Sequence, residues 1–458
     1  MSPRLRLHHL LLSILSALPT CPLDHSIPTT AAAATAGEPP PPPRHHHVVT
    51  TLPGYDGGEL PFRLETGYVT VDEEHGAELF YYFVESEADP GRDPLLLWLT
   101  GGARCSVLSG VFFEVGPVRL ALEHYHPYDA GDGELPRLRY HPHGWTKAAS
   151  VLFVDSPVGA GWSFSRHPDG YLVGDVSASL QLKHFLAKWI SDHPDYLANP
   201  FYIGGDSYAG KIVPFLAQKI SEDIEAGVRP IVDLKGYLVG NPVTGESIDF
   251  DSRVPYAHGF GIISDQLYET IMEHCQGEDY SNPKNAICCQ ALDRFNELLG
   301  ESSIGQILFN YCIYDNDIDG STQENPNIPP FPPRECIGTV DEWLRCHNGD
   351  LPYSMDIKSN IKFHHNVTMK GYRALVYSGD HDAMVPFLGT QAWVRSLNFS
   401  VVDDWRAWHV DGQSAGFTIT YMNNMTFATV KGGSHTVPEF EPERCLAMFK
   451  RWISNEQL

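Results

Sequence analysis

Six short apolar runs recur along the chain, each bounded by glycine, proline or polar residues. Runs of this length without polar interruption are typical of strands buried on both faces of a sheet. The pattern therefore predicts a central sheet built from these segments. The runs occupy residues 95–99, 151–154, 201–203, 234–239, 374–377 and 426–430.

Helical periodicity appears between and after these runs. Leu182, Phe185 and Trp189 lie three or four residues apart, as they would on one face of an α-helix. Leu446 and Phe449 follow the same spacing near the end of the chain. Alternation of buried strands with such helices indicates an α/β fold with a mostly parallel sheet.

One long segment breaks the alternation. Residues 247–348 are rich in Asp, Asn and Ser and contain several cysteines and a proline-rich stretch. We interpret this segment as a disulfide-stapled cap inserted into the sheet domain. The predicted units are a signal peptide and low-complexity leader (1–36), the first part of the core (37–246), the cap (247–348) and the second part of the core (349–458).

The N-terminus has the features of a secretory signal peptide. Arg4 and Arg6 precede a short apolar stretch at residues 9–15. No later segment reaches the roughly 18 apolar residues that a membrane-spanning helix needs. We therefore expect a protein of the secretory pathway, in the vacuole or outside the cell, with no membrane span. Three N-x-S/T sequons predict glycosylation at Asn366, Asn398 and Asn424.

The net charge of the chain limits the kinds of partner that it can bind. The chain of 458 residues has 57 acidic and 32 basic side chains, which gives a formal charge of −25. Such a charge repels nucleic acid and anionic membranes, so neither is an expected partner. Hydrophobic residues make up 42% of the chain, enough for a sizeable core.

The nine cysteines favour disulfides over metal binding. Disulfides persist in exported proteins, and the sequence has no C-x-x-C pair. The vicinal Cys288 and Cys289 have the wrong spacing for a zinc knuckle. Spacing alone leaves the pairing open.

Ser207 lies in a turn of small residues between a predicted strand and a predicted helix at about 211–226. Gly205 and Ala209 flank it in a G-x-S-x-A pattern. A nucleophilic serine in a strained strand-to-helix turn needs small neighbours, because larger side chains would collide with the adjacent strand or helix. The pattern therefore marks Ser207 as a candidate nucleophile, although a glycine-rich turn can also be purely structural.

A serine nucleophile requires a base and an acid that orients the base. Asp382 follows the predicted strand at 374–377, and His435 follows the one at 426–430. The order Ser207, Asp382, His435 is that of the α/β-hydrolase fold. Asp380 could serve as the acid equally well on this evidence.

Five ordered motifs together resemble the serine carboxypeptidase family, most closely its plant acyltransferase branch. The resemblance covers about residues 51–453 and implies an α/β-hydrolase fold with a catalytic Ser207, Asp382 and His435. The motifs are Trp98-Leu99-Thr100-Gly101-Gly102, Ser156-Pro157-Val158-Gly159-Ala160-Gly161, Gly204-Gly205-Asp206-Ser207-Tyr208-Ala209-Gly210, Gly379-Asp380-His381-Asp382 and Gly432-Gly433-Ser434-His435-Thr436-Val437-Pro438-Glu439.

The resemblance also implies further roles. The backbone N–H groups of Gly102 and Tyr208 would form an oxyanion hole. The implied substrate-binding residues are Trp98, Thr100, Gly101, Glu114 and Asp206. The implied disulfides are Cys105–Cys346, Cys275–Cys289 and Cys312–Cys336.

Two departures from the peptidase pattern favour acyl transfer. Thr100 and Asp206 replace an Asn and a Glu that hydrogen-bond the free carboxylate of a peptide in the family's peptidases. The acyltransferase branch shares both changes, and there a glucose ester donates its acyl group, through the serine, to an alcohol or amine. The sequence therefore predicts a small-molecule acyltransferase, with peptide hydrolysis by a serine carboxypeptidase as the alternative.

Ala103 and Arg104 stand where the family has Pro-Gly, which raises a third interpretation, a catalytically impaired binding homologue. If the family's glycine has positive φ, Arg104 costs about 1–2 kcal/mol of backbone strain. We expect activity to be retained but reduced, so replacing Ala103-Arg104 by Pro-Gly should raise turnover. The alternative is that the loop relaxes and the guanidinium lies in solvent or contacts an anionic group of the acyl donor.

No cofactor or metal is predicted. Asp315, Asp317 and Asp319 imitate the start of a calcium loop, but Pro326 occupies the position of the required glutamate. The histidines at 45–47 could bind a metal, but they lie in the proline-rich leader and are interpreted as an unstructured tract.

Overall fold

The computed structural model describes residues 46–121, 137–309, 339–340, 343–346 and 351–458. The predicted signal peptide, the acidic loop at 315–320 and the Cys312–Cys336 pair lie outside these residues. The strands are β1 (His46–Thr51), β2 (Glu59–Asp72), β3 (Ala77–Val84), β4 (Leu95–Leu99), β5 (Val118–Leu120), β6 (Leu138–Tyr140), β7 (Ser150–Val154), β8 (Phe164–Ser165), β9 (Val173–Gly174), β10 (Pro200–Asp206), β11 (Asp233–Gly240), β12 (Thr339–Val340), β13 (Trp343–Leu344), β14 (Tyr353–Ser354), β15 (Arg373–Gly379), β16 (Val401–Val410), β17 (Gln413–Tyr421) and β18 (Met425–Val430).

The helices are mostly between and after the strands of the sheet. None of those in the described part of the chain is both long and apolar enough to cross a membrane. The α-helices are α1 (Asp175–Asp192), α2 (Ala209–Ala226), α3 (Ile248–Asp251), α4 (Arg253–Gly259), α5 (Asp265–His274), α6 (Ala286–Gly300), α7 (Ile361–Met369), α8 (Phe387–Ser396), α9 (Val437–Phe440) and α10 (Pro442–Ile453).

The main sheet has twelve strands in the order β1-β2-β3-β7-β4-β10-β11-β15-β18-β17-β16, with β8 paired to β3. Its six middle strands, β7 to β18 in that order, are parallel. The strands on either side of them pair antiparallel. All six apolar runs of the sequence form the parallel strands, which confirms the predicted mostly parallel sheet.

Both faces of the sheet are covered, as the continuous apolar runs require. In β4, Leu97 packs on one face with Phe185 and Trp189 of α1, while Trp98 packs on the other with Phe449 of α10. Successive side chains of a strand point to opposite faces, so one short strand contributes to both cores. The result is a rigid sheet whose carboxyl edge can hold side chains in place.

The segment predicted as a cap forms a separate helical cluster over its described part. Helices α4 to α6 pack around Val254, Ile271, Cys288 and Phe295. Ala383, from the loop after β15, belongs to the same apolar cluster. The inserted helices are thus packed directly against a loop of the main domain.

The structure confirms one predicted disulfide and corrects another. Cys105 is bonded to Cys346. Cys275 is bonded to Cys288, so the expected pairing with Cys289 was wrong. Cys288 is buried on the inner face of α6, whereas Cys289 is one residue, or about 100°, further round the helix and is exposed. The face of the helix therefore decides which of two adjacent cysteines can reach Cys275.

Candidate active site

Ser207 lies in a tight turn between β10 and α2, at the carboxyl edge of the parallel strands. Its φ of 53° is in the left-handed region, which is rare for a residue other than glycine. Its N–H donates to Gly240 O at 2.8 Å, which holds the strained turn in place. A Cβ added to Gly205 would lie 2.6 Å from Leu99 O and 2.7 Å from Ala209 Cβ, so the small residues of the motif are required by packing.

His435 connects Ser207 to Asp382. Its Nε2 lies 2.7 Å from Ser207 Oγ, and its Nδ1 lies 2.8 Å from Asp382 Oδ2. Burial lowers the pKa of His435, but the charge of Asp382 and its hydrogen bond outweigh that effect and raise the pKa. The imidazole is therefore a stronger base than a free histidine.

The acid beside His435 is Asp382. Asp380, which sequence reasoning could not distinguish, accepts the Gly432 N–H at 2.7 Å instead. Asp382 is fully buried and also accepts the Met384 N–H at 2.7 Å and the Val385 N–H at 3.2 Å. These donors satisfy the carboxylate and fix the oxygen that faces the imidazole.

Asn241 is a residue of the site that sequence reasoning missed. Its Nδ2 donates to Asp382 Oδ2 at 2.7 Å, and its Oδ1 accepts the Gly379 N–H at 3.1 Å. It follows β11 directly, with a φ of 41°. The available signal was a polar residue directly after a buried parallel strand adjacent to the strand of Ser207.

The loop at Gly101 and Gly102 packs against Ser207. The Gly101 N–H donates to Asp206 Oδ1 at 2.8 Å, and a Cβ on Gly101 would lie only 2.3 Å from Ser207 Cβ. Gly102 has a φ of 87°. The hydroxyl of Tyr208 donates to the buried Asp175 at 2.7 Å. The two residues predicted to supply oxyanion-hole donors thus lie on segments held close to the serine.

Two buried carboxyl groups, Glu114 and Asp206, lie beside this loop. Glu114 Oε2 accepts the Trp98 indole N–H at 3.0 Å and the Thr100 hydroxyl at 3.4 Å. Burial raises the pKa of Glu114 well above its ordinary value, and the charge of Asp206 raises it further. Burial also raises the pKa of Asp206. Within the described residues, Glu114 Oε1 and Asp206 Oδ2 have no hydrogen-bond partner. These two oxygens are therefore available to a substrate group or to a shared proton.

The side chain of Arg104 does not lie where the sequence predicted. Its φ is 109°, so the expected backbone strain is present. Its side chain, however, is fully buried and lies neither in solvent nor free to meet a substrate. The guanidinium donates to Val158 O at 2.7 Å and also to the carbonyls of Tyr171 and Pro352. A planar group with several donors can tie three separate chain segments together, which explains why it turns inward.

The inserted helices hold the loops that carry Asp382 and His435. Arg253 Nε donates to Met384 O at 2.8 Å, and Tyr256 Oη donates to Asp380 O at 2.9 Å. The His435 N–H donates to Gly305 O at 2.8 Å. The segment 248–309 therefore contacts the loops that carry Asp382 and His435.

The remaining predicted residues lie on the surface. Asn366, Asn398 and Asn424, the asparagines of the three sequons, are all exposed.

In the described part of the chain, the His, Cys, Asp and Glu side chains close enough to share one metal ion are His46, Glu65 and His193. None of the three belongs to the group around Ser207.

Comparisons with known proteins agree on the type of protein. The family described as serine carboxypeptidase matches residues 53–331 and 334–455. Serine carboxypeptidase-like 3 of Arabidopsis thaliana is 45% identical over 426 residues, which cover 89% of this chain and 92% of the relative. Serine carboxypeptidase-like 19 of the same plant is 40% identical over 449 residues, covering 89% and 94%.

A solved structure supports the fold. Kex1, a prohormone-processing carboxypeptidase from Saccharomyces cerevisiae, superposes with a TM-score of 0.64 at 18% identity. The match covers 86% of this chain and 92% of the yeast chain. The fold is therefore that of an α/β hydrolase.

Proposed function

The chain belongs to the serine carboxypeptidase family, and from that membership we propose that it is an acyltransferase that forms an acyl-enzyme on Ser207. The donor is a glucose ester of a phenolic or other carboxylic acid, and the acceptor is an alcohol or an amine. The observation that carries the proposal is the hydrogen-bonded series from Ser207 through His435 to Asp382, at 2.7 and 2.8 Å.

In the first half of the reaction, Ser207 Oγ attacks the ester carbonyl while His435 Nε2 takes the hydroxyl proton. The bond to the glucose oxygen breaks, and His435 gives the proton to that oxygen. In the second half, the acceptor loses its proton to His435 and attacks the acyl-serine. The bond between the acyl carbon and Ser207 Oγ breaks, and His435 returns the proton to Oγ, which restores Ser207. The N–H groups of Gly102 and Tyr208 stabilise the negative oxygen in both halves.

Asp382 and Asn241 act through the histidine. Asp382 holds the His435 ring so that Nε2 faces Ser207, and it stabilises the imidazolium that forms. Asn241 holds the Asp382 oxygen that faces the ring. Both are positioning residues, since neither contacts the serine hydroxyl.

The surroundings of Ser207 favour transfer over peptide hydrolysis. Thr100 has no amide donor, and its hydroxyl already contacts Glu114. Asp206 Oδ1 is occupied by the Gly101 N–H. The free carboxylate of a peptide would leave charged hydrogen bonds unmade, at about 1–3 kcal/mol each.

One observation favours the second candidate, a serine carboxypeptidase. Glu114 and Asp206 are buried together, and burial raises the pKa of each. A protonated carboxyl group can donate a hydrogen bond to a peptide carboxylate. This candidate therefore predicts peptide hydrolysis that weakens as pH rises and these carboxyl groups ionise.

The structure gives less support to an impaired binding homologue. That interpretation rested on Arg104, whose side chain is buried away from Ser207 among backbone carbonyls. The hydrogen bonds of His435 to Ser207 and Asp382 have the lengths that a working nucleophile requires.

We also propose entry into the secretory pathway, with cleavage of the leader, glycosylation at the three exposed sequons, and residence in the vacuole or outside the cell. Support comes from the two disulfides, which persist in oxidising compartments. Mass analysis of the protein isolated from its source would test cleavage and glycosylation together.

Product analysis tests the proposed reaction. The protein is incubated with a glucose ester and an alcohol, and separately with a blocked dipeptide, and the new ester, free acid and released amino acid are measured by mass. We expect the new ester to predominate. Dipeptide cleavage faster than transfer would establish the carboxypeptidase instead, and failure to react with a serine-directed phosphonate would establish the impaired homologue.

Two sets of variants identify the residues responsible. Asp382→Asn should lose about 10⁴-fold in rate, whereas the matched Asp380→Asn should retain most activity. Thr100→Asn with Asp206→Glu should raise dipeptide hydrolysis relative to transfer. The reverse ranking of the two Asn variants would show that Asp380 is the acid.

A further inference from the structure

His46, Glu65 and His193 form a cluster on three different elements. His46 begins β1, so the expectation of an unstructured tract was wrong for His46 and His47, which pair with β2. Glu65 lies in β2, and His193 follows the last residue of α1. The side-chain ligand atoms of the three all lie within 4.8 Å of one another. In the β1–β2 register, Val48 is opposite Glu65, so His46, two residues from Val48, lies on the same face of the sheet as Glu65.

The orientation of His193 is fixed. Its Nδ1 lies 2.8 Å from Trp189 O, and its ring stacks on the Trp189 indole with a centroid distance of 4.1 Å. A carbonyl oxygen only accepts, so Nδ1 carries a hydrogen and Nε2 is the nitrogen that can become a ligand. A metal ion there would replace the hydrogen bond between Nε2 and Glu65 Oε1, which lie 2.8 Å apart. Metal-binding histidines typically donate their other N–H to a carbonyl in this way.

Glu65 provides a buried carboxylate at the centre of the cluster. It is 1% exposed, and its Oε1 lies 2.8 Å from His193 Nε2 and 2.9 Å from Tyr81 Oη, which donates to it. Arg63 contacts the other oxygen, Oε2, at 3.3 Å. Oε1 therefore faces the histidines, while Arg63 remains on the outer side.

We propose that His46 Nδ1 or Nε2, Glu65 Oε1 and His193 Nε2 bind one Zn²⁺ ion, with solvent as the fourth ligand. Two histidines and one carboxylate are a common ligand set for this metal. Tetrahedral coordination at 2.0–2.1 Å would place the ligand atoms about 3.3 Å apart. The widest pair must close by up to about 1.5 Å, and the half-buried His46 has the freedom to make that movement. His193 Nε2 and Glu65 Oε1, now 2.8 Å apart, must separate by about 0.5 Å.

The bound ion joins the first strand to the rest of the domain. β1 is the outermost strand on its side of the sheet, paired only to β2 within the described residues. A Zn²⁺ ion on His46, Glu65 and His193 links β1 and β2 to the end of α1. Binding therefore stabilises the folded protein by linkage and secures the strand nearest the N-terminal leader.

Binding of Co²⁺ and Zn²⁺ to the chelator-treated protein tests this site. Co²⁺ in a site of low coordination number gives intense visible absorption bands, which isolated surface histidines do not. We expect one equivalent of Co²⁺ to produce these bands, Zn²⁺ to displace it stoichiometrically, and Zn²⁺ to raise the unfolding temperature.

The control variant is adjacent in the sequence. His46→Ala should abolish the Co²⁺ bands and weaken Zn²⁺ binding by at least about tenfold, while the exposed His47→Ala leaves both unchanged. Glu65→Gln, which keeps the Tyr81 contact, should behave like His46→Ala. Absence of the bands in the wild type, or an equal loss in His47→Ala, would overturn the proposal; unfolding temperatures without metal show whether each variant is folded.

Discussion

Asn241 Nδ2 donates to Asp382 Oδ2 at 2.7 Å, and the same carboxylate oxygen lies 2.8 Å from His435 Nδ1. The oxygen that orients the base is therefore held by a side chain from a neighbouring strand. The other amide atom, Asn241 Oδ1, accepts the Gly379 N–H and so joins the ends of β11 and β15. One asparagine thus couples the loop after β11 to the loop that carries the acid.

We predict that Asn241→Ala lowers kcat about 10- to 100-fold, because a buried hydrogen bond to a charged group contributes about 1–3 kcal/mol. The variant also places alanine at a φ of 41°. Asn455→Ala is the matched control, since Asn455 has a φ of 60° on the exposed C-terminal segment. Steady-state kinetics and unfolding of both variants separate the effect on the site from backbone strain. Equal activity in the two variants would show that Asn241 does not support Asp382.

The buried Glu114 should make stability depend on pH. Burial raises its pKa in the folded state above the ordinary value of about 4.3, so the folded state binds more protons than the unfolded state above that pH. The contribution of Glu114 to stability therefore falls as pH rises from about 4.3 toward the folded pKa. We predict that Glu114→Gln is more stable relative to the wild type at about pH 7 than at about pH 4. Urea unfolding at the two pH values measures this difference.

Asp206 provides the control for that experiment. Its charge adds to the raised pKa of Glu114, so Asp206→Asn should reduce the pH effect of Glu114→Gln. An effect of Glu114→Gln that is the same at both pH values would contradict the assignment of a raised pKa.

Replacing Arg104 should destabilise the protein. Arg104→Gly relieves the strain at a φ of 109° but removes donors from Val158, Tyr171 and Pro352. The lost charged hydrogen bonds outweigh about 1–3 kcal/mol of strain, so we expect the free energy of unfolding to fall by at least about 2 kcal/mol. Higher turnover in the Pro-Gly variant stays a prediction, and we expect it to be accompanied by lower stability. Arg92→Gly, at an exposed arginine, is the control, and a more stable Arg104→Gly would refute the role assigned to these contacts.

The corrected disulfide predicts different results for adjacent cysteines. Cys288→Ser opens a link with a sequence separation of 13 residues, and should lower stability by roughly 3 kcal/mol. Cys289→Ser should have little effect.

In the unreduced native protein, a thiol-alkylating reagent should label the exposed Cys289 and spare the buried Cys445, as shown by peptide mass analysis. Labelling of Cys288 in its place would restore the Cys275–Cys289 pairing.

The parallel strands could be read from the sequence because each is buried on both faces and therefore continuously apolar. β16 could not, because five of its ten side chains are exposed, only one is buried, and the strand includes the charged residues Asp403, Asp404 and Arg406. A strand at the sheet edge that is exposed on both sides has neither an apolar run nor a strict alternation.

The same contrast applies to the site. Ser207 and His435 lie in local motifs, so the sequence alone could predict them as site residues, whereas the choice of Asp382 over Asp380 needed the family resemblance. The backbone carbonyls that accept hydrogen bonds from Arg104 belong to segments near residues 158, 171 and 352. No local sequence pattern predicts that these three segments lie together. Local sequence patterns therefore predict the backbone strain at Arg104 but not the hydrogen bonds that compensate for it.

The most direct test of the account is whether a glucose ester acylates Ser207. The wild type and Ser207→Ala are mixed with excess glucose ester of a phenolic acid in the absence of acceptor, quenched in acid within one turnover, and analysed by intact and peptide mass. The account predicts one acyl group on the peptide that contains Ser207 in the wild type, and none in Ser207→Ala. An adduct that persists in Ser207→Ala, or release of glucose by a wild type that never carries the adduct, would contradict it.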